Sequence, residues 1–468
     1  MPLTIKFCGG VGTVTGSMHL ITTGQSQILL DCGLFQGHRD EFYDINSSFP
    51  FNPQDLDACV LSHAHIDHCG NLPTLIKHGY RSSIYTTPAT RDLCRYMLPD
   101  SGYVQEEDIK YINKINRRKG LPPHVPLYTK DEAEASLKYF RPVEYHNRFA
   151  LSPDTDLTFV DAGHILGSAI TVLDIKTRRG LARIGYAIDL GRYGMPLLRD
   201  PEVPKNMDYL IIESTYGGRK HGSIKDAEKR LADTINRAVK RGGKIIIPSF
   251  ALERTQLIVF FVSELMKKGK IKKIPIYVDS PLAVNLTKVF RQDWMYFDDI
   301  TQAAFLNKED PLGYDNITYV TKVNDSKKLN SDRRPMIIIS ASGMCENGRI
   351  LHHLRNNIED PNNTILVVGF MAKNTLGRRI VEGNKLVRIF GQLYEVNAEV
   401  AVFDAFSAHA DESGLFEYVK NCKGSLKHIF IVHGEKGQSE ALKTKLRRLD
   451  VKTSIPAKGD TVSLKLPK

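Results

Sequence analysis

The stretch His63-Ala64-His65-Ile66-Asp67-His68 is the most informative part of the sequence, because its six consecutive positions hold three imidazoles and a carboxylate. The residues before it, 58–61, form a short apolar run typical of a buried strand, so the cluster begins where a strand ends. Its first two histidines lie two positions apart in extended backbone and project to the same side, whereas the aspartate and the third histidine turn away. The stretch therefore predicts a metal centre with room for two ions about 3.5 to 4 Å apart.

The pattern is specific. With 15 histidines in 468 residues, H-x-H-x-D-H should arise by chance in about one chain in a thousand. The alternative is a histidine-rich surface turn. Further candidate ligands at the ends of predicted strands argue against that alternative, and they are His164, Asp189 and His433. Asp31 also follows a predicted strand, and we expect it to orient a ligand rather than to bind metal.

Composition and charge narrow the class of protein. The length favours two or three domains. Neither a signal sequence nor an apolar run of about 20 residues is visible, so we expect a soluble, cytoplasmic protein without a membrane segment. Seven scattered cysteines without a C-x-x-C spacing disfavour a disulfide framework and a thiolate zinc site. A net charge of +11 permits a polyanionic partner.

The pattern of secondary structure changes along the chain. Residues 1–212 alternate short apolar strands with turns, which predicts a sheet-rich sandwich. A mainly helical segment interrupts this series of strands, with one helix predicted over Gln105–Arg118. After residue 213, strands alternate with helices, which indicates a second domain with a parallel sheet. From about Val396 the chain returns to the first domain.

Small polar residues follow the predicted parallel strands of this second domain. Ligands bind at the carboxyl ends of such strands. Ser342 and Gly343 are therefore candidates to offer backbone amides to a phosphate, with Arg254 and Lys373 as candidate cations. Ordinary tight turns remain the alternative interpretation.

Taken together, these motifs resemble the metallo-β-lactamase fold with a β-CASP insertion, a family of nucleic-acid nucleases. The resemblance spans nearly the whole chain, and besides the ligand cluster it rests on Gly10–Ser17, Gly163–Ser168, Ala251–Gln256 and Ser340–Met344. The chain is similar to compact bacterial homologues of the endonuclease subunit of the cleavage and polyadenylation specificity factor.

The resemblance implies an α/β fold. An αββα sandwich made of residues 1–213 and 397–468 would be interrupted by a Rossmann-like β-CASP domain of residues 214–396, with single-stranded RNA entering the cleft between them. It also implies two zinc ions. By resemblance, His63, His65 and His164 bind one ion, Asp67, His68 and His433 bind the other, and Asp189 bridges them.

The resemblance further implies a zinc-dependent ribonuclease that cleaves phosphodiester bonds with a metal-activated hydroxide, leaving 5′ phosphate and 3′ hydroxyl ends. Asp67 and Asp189 serve this step through the metals. Glu213, His409 and His433 match the three β-CASP motifs, and a histidine at the third favours RNA. We expect His409, held as imidazolium by Glu213, to protonate the leaving oxygen. The residues expected to bind substrate phosphates are Arg254, Ser342, Gly343, Lys373 and Arg378.

Three alternatives remain at this stage. A small-molecule hydrolase of the same fold would need neither the inserted domain nor His409. A DNA nuclease would use the same metals, and a non-catalytic RNA-binding subunit would be expected to have lost ligands. The sequence leaves endonuclease or 5′ exonuclease action open, and also the oligomeric state, with a homodimer among the candidates.

Overall fold

The polypeptide divides into two units that are built from different parts of the chain. The computed structural model describes residues 2–37, 39–313, 315–369, 371–372 and 374–465. One unit combines Met1–Lys220 with Ala408–Lys468, and the other consists of His221–Ser407. The domain limits expected at residues 213/214 and 396/397 lie near these bounds and stay a prediction.

Two seven-stranded sheets form the first unit. The strands of the first sheet are β1 (Thr4–Gly9), β2 (Met18–Thr22), β3 (Gln27–Leu30), β4 (Ala58–Val60), β5 (Ser83–Thr86), β6 (Phe140–Pro142) and β22 (Thr461–Ser463). They follow the spatial order β22-β1-β2-β3-β4-β5-β6. The C-terminal segment therefore supplies one edge of this sheet, where β22 pairs antiparallel with β1.

The second sheet also combines both chain segments. Its strands are β7 (Phe149–Ser152), β8 (Thr155–Asp161), β9 (Ala169–Thr177), β10 (Gly180–Ala187), β11 (Tyr209–Ile212), β20 (His428–Ile431) and β21 (Lys452–Ser454). They follow the order β21-β20-β11-β10-β9-β8-β7. Strands β10, β11, β20 and β21 run parallel, so the polar residues that follow β10, β11 and β20 meet at one edge.

Apolar side chains fill the space between the two sheets. Phe7 from β1 packs there with Phe159 from β8 and Phe430 from β20. A separate core lies under the helices that cover the second sheet, where Leu415 and Leu442 pack with Ile431. The helices of this unit are α1 (Arg39–Asn46), α2 (Ile66–Cys69), α3 (Leu72–Lys77), α4 (Pro88–Lys119), α5 (Lys130–Ser136), α13 (Glu412–Cys422) and α14 (Lys436–Leu446).

The second unit contains a six-stranded sheet in which every strand pair is parallel. Its strands are β12 (Ile245–Pro248), β13 (Ile276–Val278), β14 (Ile317–Tyr319), β15 (Ile337–Ser340), β16 (Thr364–Val367) and β19 (Glu399–Val402), in the order β14-β13-β15-β12-β16-β19. A small antiparallel hairpin, β17 (Leu386–Ile389) with β18 (Gln392–Glu395), stands apart from it.

Helices connect these parallel strands, as the alternating pattern predicts. They are α6 (Ile224–Lys240), α7 (Arg254–Lys267), α8 (Pro281–Gln292), α9 (Asp299–Leu306), α10 (Val323–Ser331), α11 (Ile350–Asn357) and α12 (Leu376–Val381). Ser223 caps α6 by accepting the amide of Asp226. The predicted αββα sandwich with an inserted Rossmann-like α/β unit is confirmed.

All seven cysteines are buried and unpaired. In the described part of the chain, no helix combines the length and the apolar character that crossing a membrane requires.

Candidate metal centre

The loop between β4 and α2 presents the histidine cluster. His65 occupies the N-cap position of α2 with extended backbone, so the chain changes from strand-like to helical geometry inside the motif. His63 is 1% exposed and His68 is fully buried, whereas the side chain of His65 is 27% exposed. The cluster is thus built into the interior and opens to solvent on one side.

Four residues form the first ligand group, and their ligand atoms lie within 4.8 Å of one another: His63, His65, His164 and Asp189. The Nδ1 atom of His65 lies 3.1 Å from Nε2 of His63 and 3.2 Å from Nε2 of His164. The Oδ2 atom of Asp189 lies 3.2 Å from Nε2 of His63 and 3.4 Å from Nε2 of His164. Tetrahedral zinc ligands lie about 3.3 to 3.4 Å apart, so this group fits zinc.

The second ligand group consists of Asp67, His68 and His433. The Nε2 atoms of the two histidines are 3.2 Å apart, and Oδ2 of Asp67 lies 3.7 Å from the first and 3.6 Å from the second. Asp189 Oδ2 also lies 3.6 Å from Nε2 of His68. One carboxylate oxygen therefore borders both groups, which is the arrangement that a bridging ligand needs.

Three residues of the centre hold backbone conformations that non-glycine residues rarely adopt. The φ angles of Asp31, Asp189 and His433 are 57°, 54° and 46°. Local hydrogen bonds fix two of these turns: the Asp31 amide donates to the Val60 carbonyl, and the His433 amide donates to the Gly10 carbonyl, at 2.9 and 2.7 Å. Such strain is held where the surrounding structure aims a functional side chain.

The two groups differ in their affinity for protons. In the first, burial lowers the pKa of His63 and His164 and lowers that of His65 to about 3, which favours the neutral imidazole that binds metal. In the second group, burial lowers the pKa of both histidines, but nearby carboxylates raise it by more. Asp189 and Asp67 raise the pKa of His68, and they raise that of His433 to about 9.

Asp31 lies beside His68 of the second ligand group. It is fully buried, and Nδ1 of His68 lies 2.8 Å from its Oδ2 atom. A carboxylate only accepts, so Nδ1 of His68 carries the proton and Nε2 is left to bind metal. Burial raises the pKa of Asp31, but the hydrogen bond and charge of His68 outweigh that effect, and the pKa is lowered.

His409 and Glu213 lie beside the first ligand group. Nδ1 of His409 is 3.3 Å from Oε1 of Glu213, which also accepts the Leu190 amide at 2.6 Å. The His409 ring is centred 4.5 Å from the ring of His164, and its side chain is 21% exposed. Burial opposes protonation of His409, but Glu213 and Asp189 raise its pKa above the usual value. The pair thus places a proton donor beside the ligands.

The residues expected to bind phosphate all belong to the second unit. Nε and Nη1 of Arg254 are buried and make no hydrogen bond within the described part of the chain. The Ser342 amide donates to the Asn347 carbonyl, and its hydroxyl accepts the amides of Glu346 and Asn347. Arg378 bonds to Glu382 at 2.7 Å. Gly343 approaches Phe250 closely, where an added Cβ would lie 2.9 Å from the ring. Lys373 lies outside the described residues.

Sequence reasoning missed three polar partners of the ligands. Ser62 lies 3.0 Å from Nδ1 of His63, and the Thr215 hydroxyl lies 3.3 Å from Nδ1 of His433. The hydroxyl of Tyr186 donates to Asp31. Ser62 and Thr215 lie next to the His63 and Glu213 motifs in the chain, so their positions were a usable signal. Tyr186 lies inside β10, and Asp189 is the site residue near it in the chain.

The fold and this centre together define a metal-dependent hydrolase, and three family models match the chain. They describe the metallo-beta-lactamase superfamily over residues 11–98, the Beta-Casp domain over 255–380, and the Zn-dependent metallo-hydrolase RNA specificity domain over 393–456. The chain belongs to the β-CASP family of the metallo-β-lactamase superfamily.

Its relatives cover almost the whole chain. It is 33% identical to "Ribonuclease TTHA0252" of Thermus thermophilus over 97% of this chain and 98% of the relative. It is 32% identical to "Transcription termination factor FttA" of Methanosarcina mazei over 97% of this chain and 71% of that protein. A solved structure of a protein of unknown function from Enterococcus faecalis V583 shares the fold, with a TM-score of 0.56 and 12% identity over 99% of this chain and 100% of that one.

Proposed function

We propose that this chain is a ribonuclease that uses two zinc ions to hydrolyse phosphodiester bonds of single-stranded RNA and leaves 5′ phosphate and 3′ hydroxyl ends. The observation that carries the proposal is the pair of ligand groups that border one oxygen of Asp189, with His409 and Glu213 beside them. The ribonuclease and termination-factor relatives support RNA as the substrate.

Seven residues would hold the metals. His63, His65 and His164 would bind one ion, Asp67, His68 and His433 the other, and Asp189 both. Bound there, zinc supplies an activated water as nucleophile and neutralises charge on the phosphate. The donor set suits zinc because it contains only imidazoles and carboxylates, with thiolates absent from the groups in the described residues.

His409 acts as the general acid. Its Nδ1 atom faces Glu213, so the proton on Nε2 is the one that can pass to the leaving 3′ oxygen. Glu213 stabilises the imidazolium by its charge and has its own carboxylate fixed by the backbone amides of Leu190 and Thr215. The raised pKa of His409 keeps the acid form populated at neutral pH.

Contacts to substrate phosphates are assigned to the second unit. Arg254 has the strongest support, because Nε and Nη1 of its guanidinium are buried and lack protein partners among the described residues. Ser342 and Gly343, Lys373 and Arg378 complete the proposed set. Since phosphate contacts are shared by the ground state and the transition state, neutralising Arg254 should raise KM more than it lowers kcat.

The proposal is tested by digesting a 5′-labelled unstructured RNA, a matched single-stranded DNA and a duplex RNA with the purified, zinc-loaded chain. We expect the RNA to be cleaved fastest, with products that carry 5′ phosphates. The lengths of the labelled products then separate endonuclease from 5′ exonuclease action. Faster cleavage of DNA would overturn the assignment in favour of a DNA nuclease, and equal cleavage of the duplex RNA would overturn the preference for single strands.

A further inference from the structure

Both ligand groups are assembled from opposite sheets. The first sheet supplies His63, His65, Asp67 and His68 from the loop after β4. The second sheet supplies His164, Asp189 and His433 from the ends of β8, β10 and β20. Each ion therefore needs the two sheets to keep one fixed relative position, and a few tenths of an ångström decide whether the ligand atoms fit a metal.

The carboxylate of Asp31 collects hydrogen bonds from both sheets. Its Oδ1 atom accepts the Ser62 amide at 2.7 Å. Its Oδ2 atom accepts the Ser62 hydroxyl, Nδ1–H of His68 and the hydroxyl of Tyr186, each at 2.8 Å. Ser62 lies in the loop after β4 of the first sheet and His68 lies in α2, which follows that loop, whereas Tyr186 lies in β10 of the second sheet.

These bonds fix the tautomers of one histidine in each ligand group. The Ser62 hydroxyl gives its proton to Asp31, so at its 3.0 Å contact with His63 it accepts the proton on Nδ1. Nε2 of His63 is then free for the first ion. His68 donates its Nδ1 proton to Asp31 directly, which frees Nε2 for the second. Asp31 thus orients ligands of both groups.

Tyr186 is placed to hold that carboxylate against the second sheet. Its ring is buried, and besides Asp31 its hydroxyl contacts only the Ser17 hydroxyl, at 3.0 Å, among the described residues. Ser17 lies directly before β2 of the first sheet and donates its amide to the Asp67 carbonyl. The tyrosine lies three positions before Asp189, the ligand that borders both groups.

We propose that Tyr186 is a positioning residue for both metals, because its hydroxyl ties the Asp31 carboxylate of one sheet to the strand of the other sheet that carries Asp189. The proposal rests on the zinc ligation proposed above. Backbone hydrogen bonds from the His433 amide to Gly10 and from the Ala169 amide to Ser62 also join the two sheets. Their acceptors are carbonyl oxygens, and neither bond involves an imidazole ring.

The test compares Tyr186→Phe with Tyr128→Phe. The control tyrosine is also fully buried in the first unit, and its hydroxyl donates to Ser101 rather than to a residue of the centre. Zinc affinities of the two sites are measured by competition with a chromophoric chelator, and the visible spectrum of the cobalt-substituted protein reports ligand geometry. Urea unfolding of the metal-free variants measures the general loss of stability from one hydroxyl.

In Tyr186→Phe we expect both zinc affinities to fall by about 10-fold, the lower end for losing a partner of metal ligands, with an altered cobalt spectrum. Tyr128→Phe should match the unsubstituted chain in its zinc affinities and in its cobalt spectrum. Unchanged affinities in Tyr186→Phe, weakening of one site alone, or an equal fall in the control would overturn the inference while leaving the ribonuclease proposal intact. Failure of the unsubstituted chain to bind two ions would overturn the ligation itself.

Discussion

At the scale of single residues, the proposed role of His409 is to supply the proton that the metal ligands cannot supply. The metals would neutralise the phosphate and provide the nucleophile, but the leaving oxygen needs a proton. His409 lies beside His164, is partly exposed, and is paired with a carboxylate that raises its pKa. Its contribution is therefore separable from metal binding.

We predict that His409→Ala keeps both metals and RNA affinity but slows cleavage by roughly 10² to 10⁴, the range for loss of a general acid. The exposed His124 provides a matched control, and His124→Ala should cleave at the unsubstituted rate. Single-turnover kinetics on RNA measures both. A substrate with a 3′-thio leaving atom needs little protonation and should hide the defect; if it is slowed as much as normal RNA, His409 is not the acid.

The sequence indicated the candidate ligands and the orienting carboxylate of Asp31, but not the hydroxyl groups of Ser62, Thr215 and Tyr186. Within residues 63–68 the pattern is local, so spacing alone predicted a metal centre. Tyr186 meets Asp31 from 155 positions away in the chain, through the packing of two sheets. No periodicity or spacing encodes such a contact, because it depends on how the sheets align.

At the scale of elements, α4 shows where local rules fail. The chain pattern predicted a helix over Gln105–Arg118, but α4 runs from Pro88 to Lys119 with Pro99 inside it. Proline usually ends a helix. Here Pro99 and Gly102 are both buried, and a Cβ at Gly102 would lie 2.8 Å from the backbone of α5. The close approach of α5 and burial of this segment extend α4 beyond its local signals.

A buried polar network stabilises the end of β13 in the second unit. Asp279 is fully buried and bonds to Arg349 and His353, each at 2.6 Å, and to Ser326. Burial raises the pKa of Asp279, but hydrogen bonds from His353, Ser326 and Arg349 outweigh it and leave the pKa lowered. The carboxylate therefore stabilises the folded state in its ionised form.

We predict that Asp279→Ala lowers the free energy of unfolding by about 3 to 5 kcal/mol, because it removes the buried carboxylate that pairs with the partly buried Arg349 and the buried His353. Asp325→Ala, which removes an exposed partner of Lys328, should leave stability unchanged. The stabilisation by Asp279 should be complete above its unfolded pKa of about 3.9 and be lost as the pH falls through its lower folded pKa. Urea titrations measure the effect; equal stabilities for the two variants at neutral pH would contradict it.

At the scale of the whole molecule, two distant chain segments build one unit. The motifs at His409 and His433 made the return to the first domain predictable, because they complete the site begun at His63. The pairing of β22 with β1 was not predictable, since short edge strands carry little pattern of their own. Family resemblance supplied the order of the layers, which hydrophobic periodicity alone leaves open.

The net charge of +11 is a property of the whole chain, and it predicts that the affinity for RNA depends on salt concentration. The logarithm of affinity should fall linearly with the logarithm of salt concentration, with a slope of about −0.7 for each phosphate neutralised. Arg254→Ala should flatten the slope, whereas Arg334→Ala, which removes an exposed arginine paired with Asp332, should not. Fluorescence anisotropy with a labelled single-stranded RNA measures both, and equal slopes for all three proteins would remove Arg254 from the phosphate contacts.

We have proposed that two ions, held by ligand groups that border the same oxygen of Asp189, hydrolyse RNA. The most direct measurement is a titration of the metal-free chain with zinc, in which the rate of RNA cleavage is recorded against equivalents added. Activity should rise to a plateau at two equivalents, and Asp189→Ala should reach no plateau of comparable height. Full activity at one equivalent, or unaltered activity of Asp189→Ala, would contradict it.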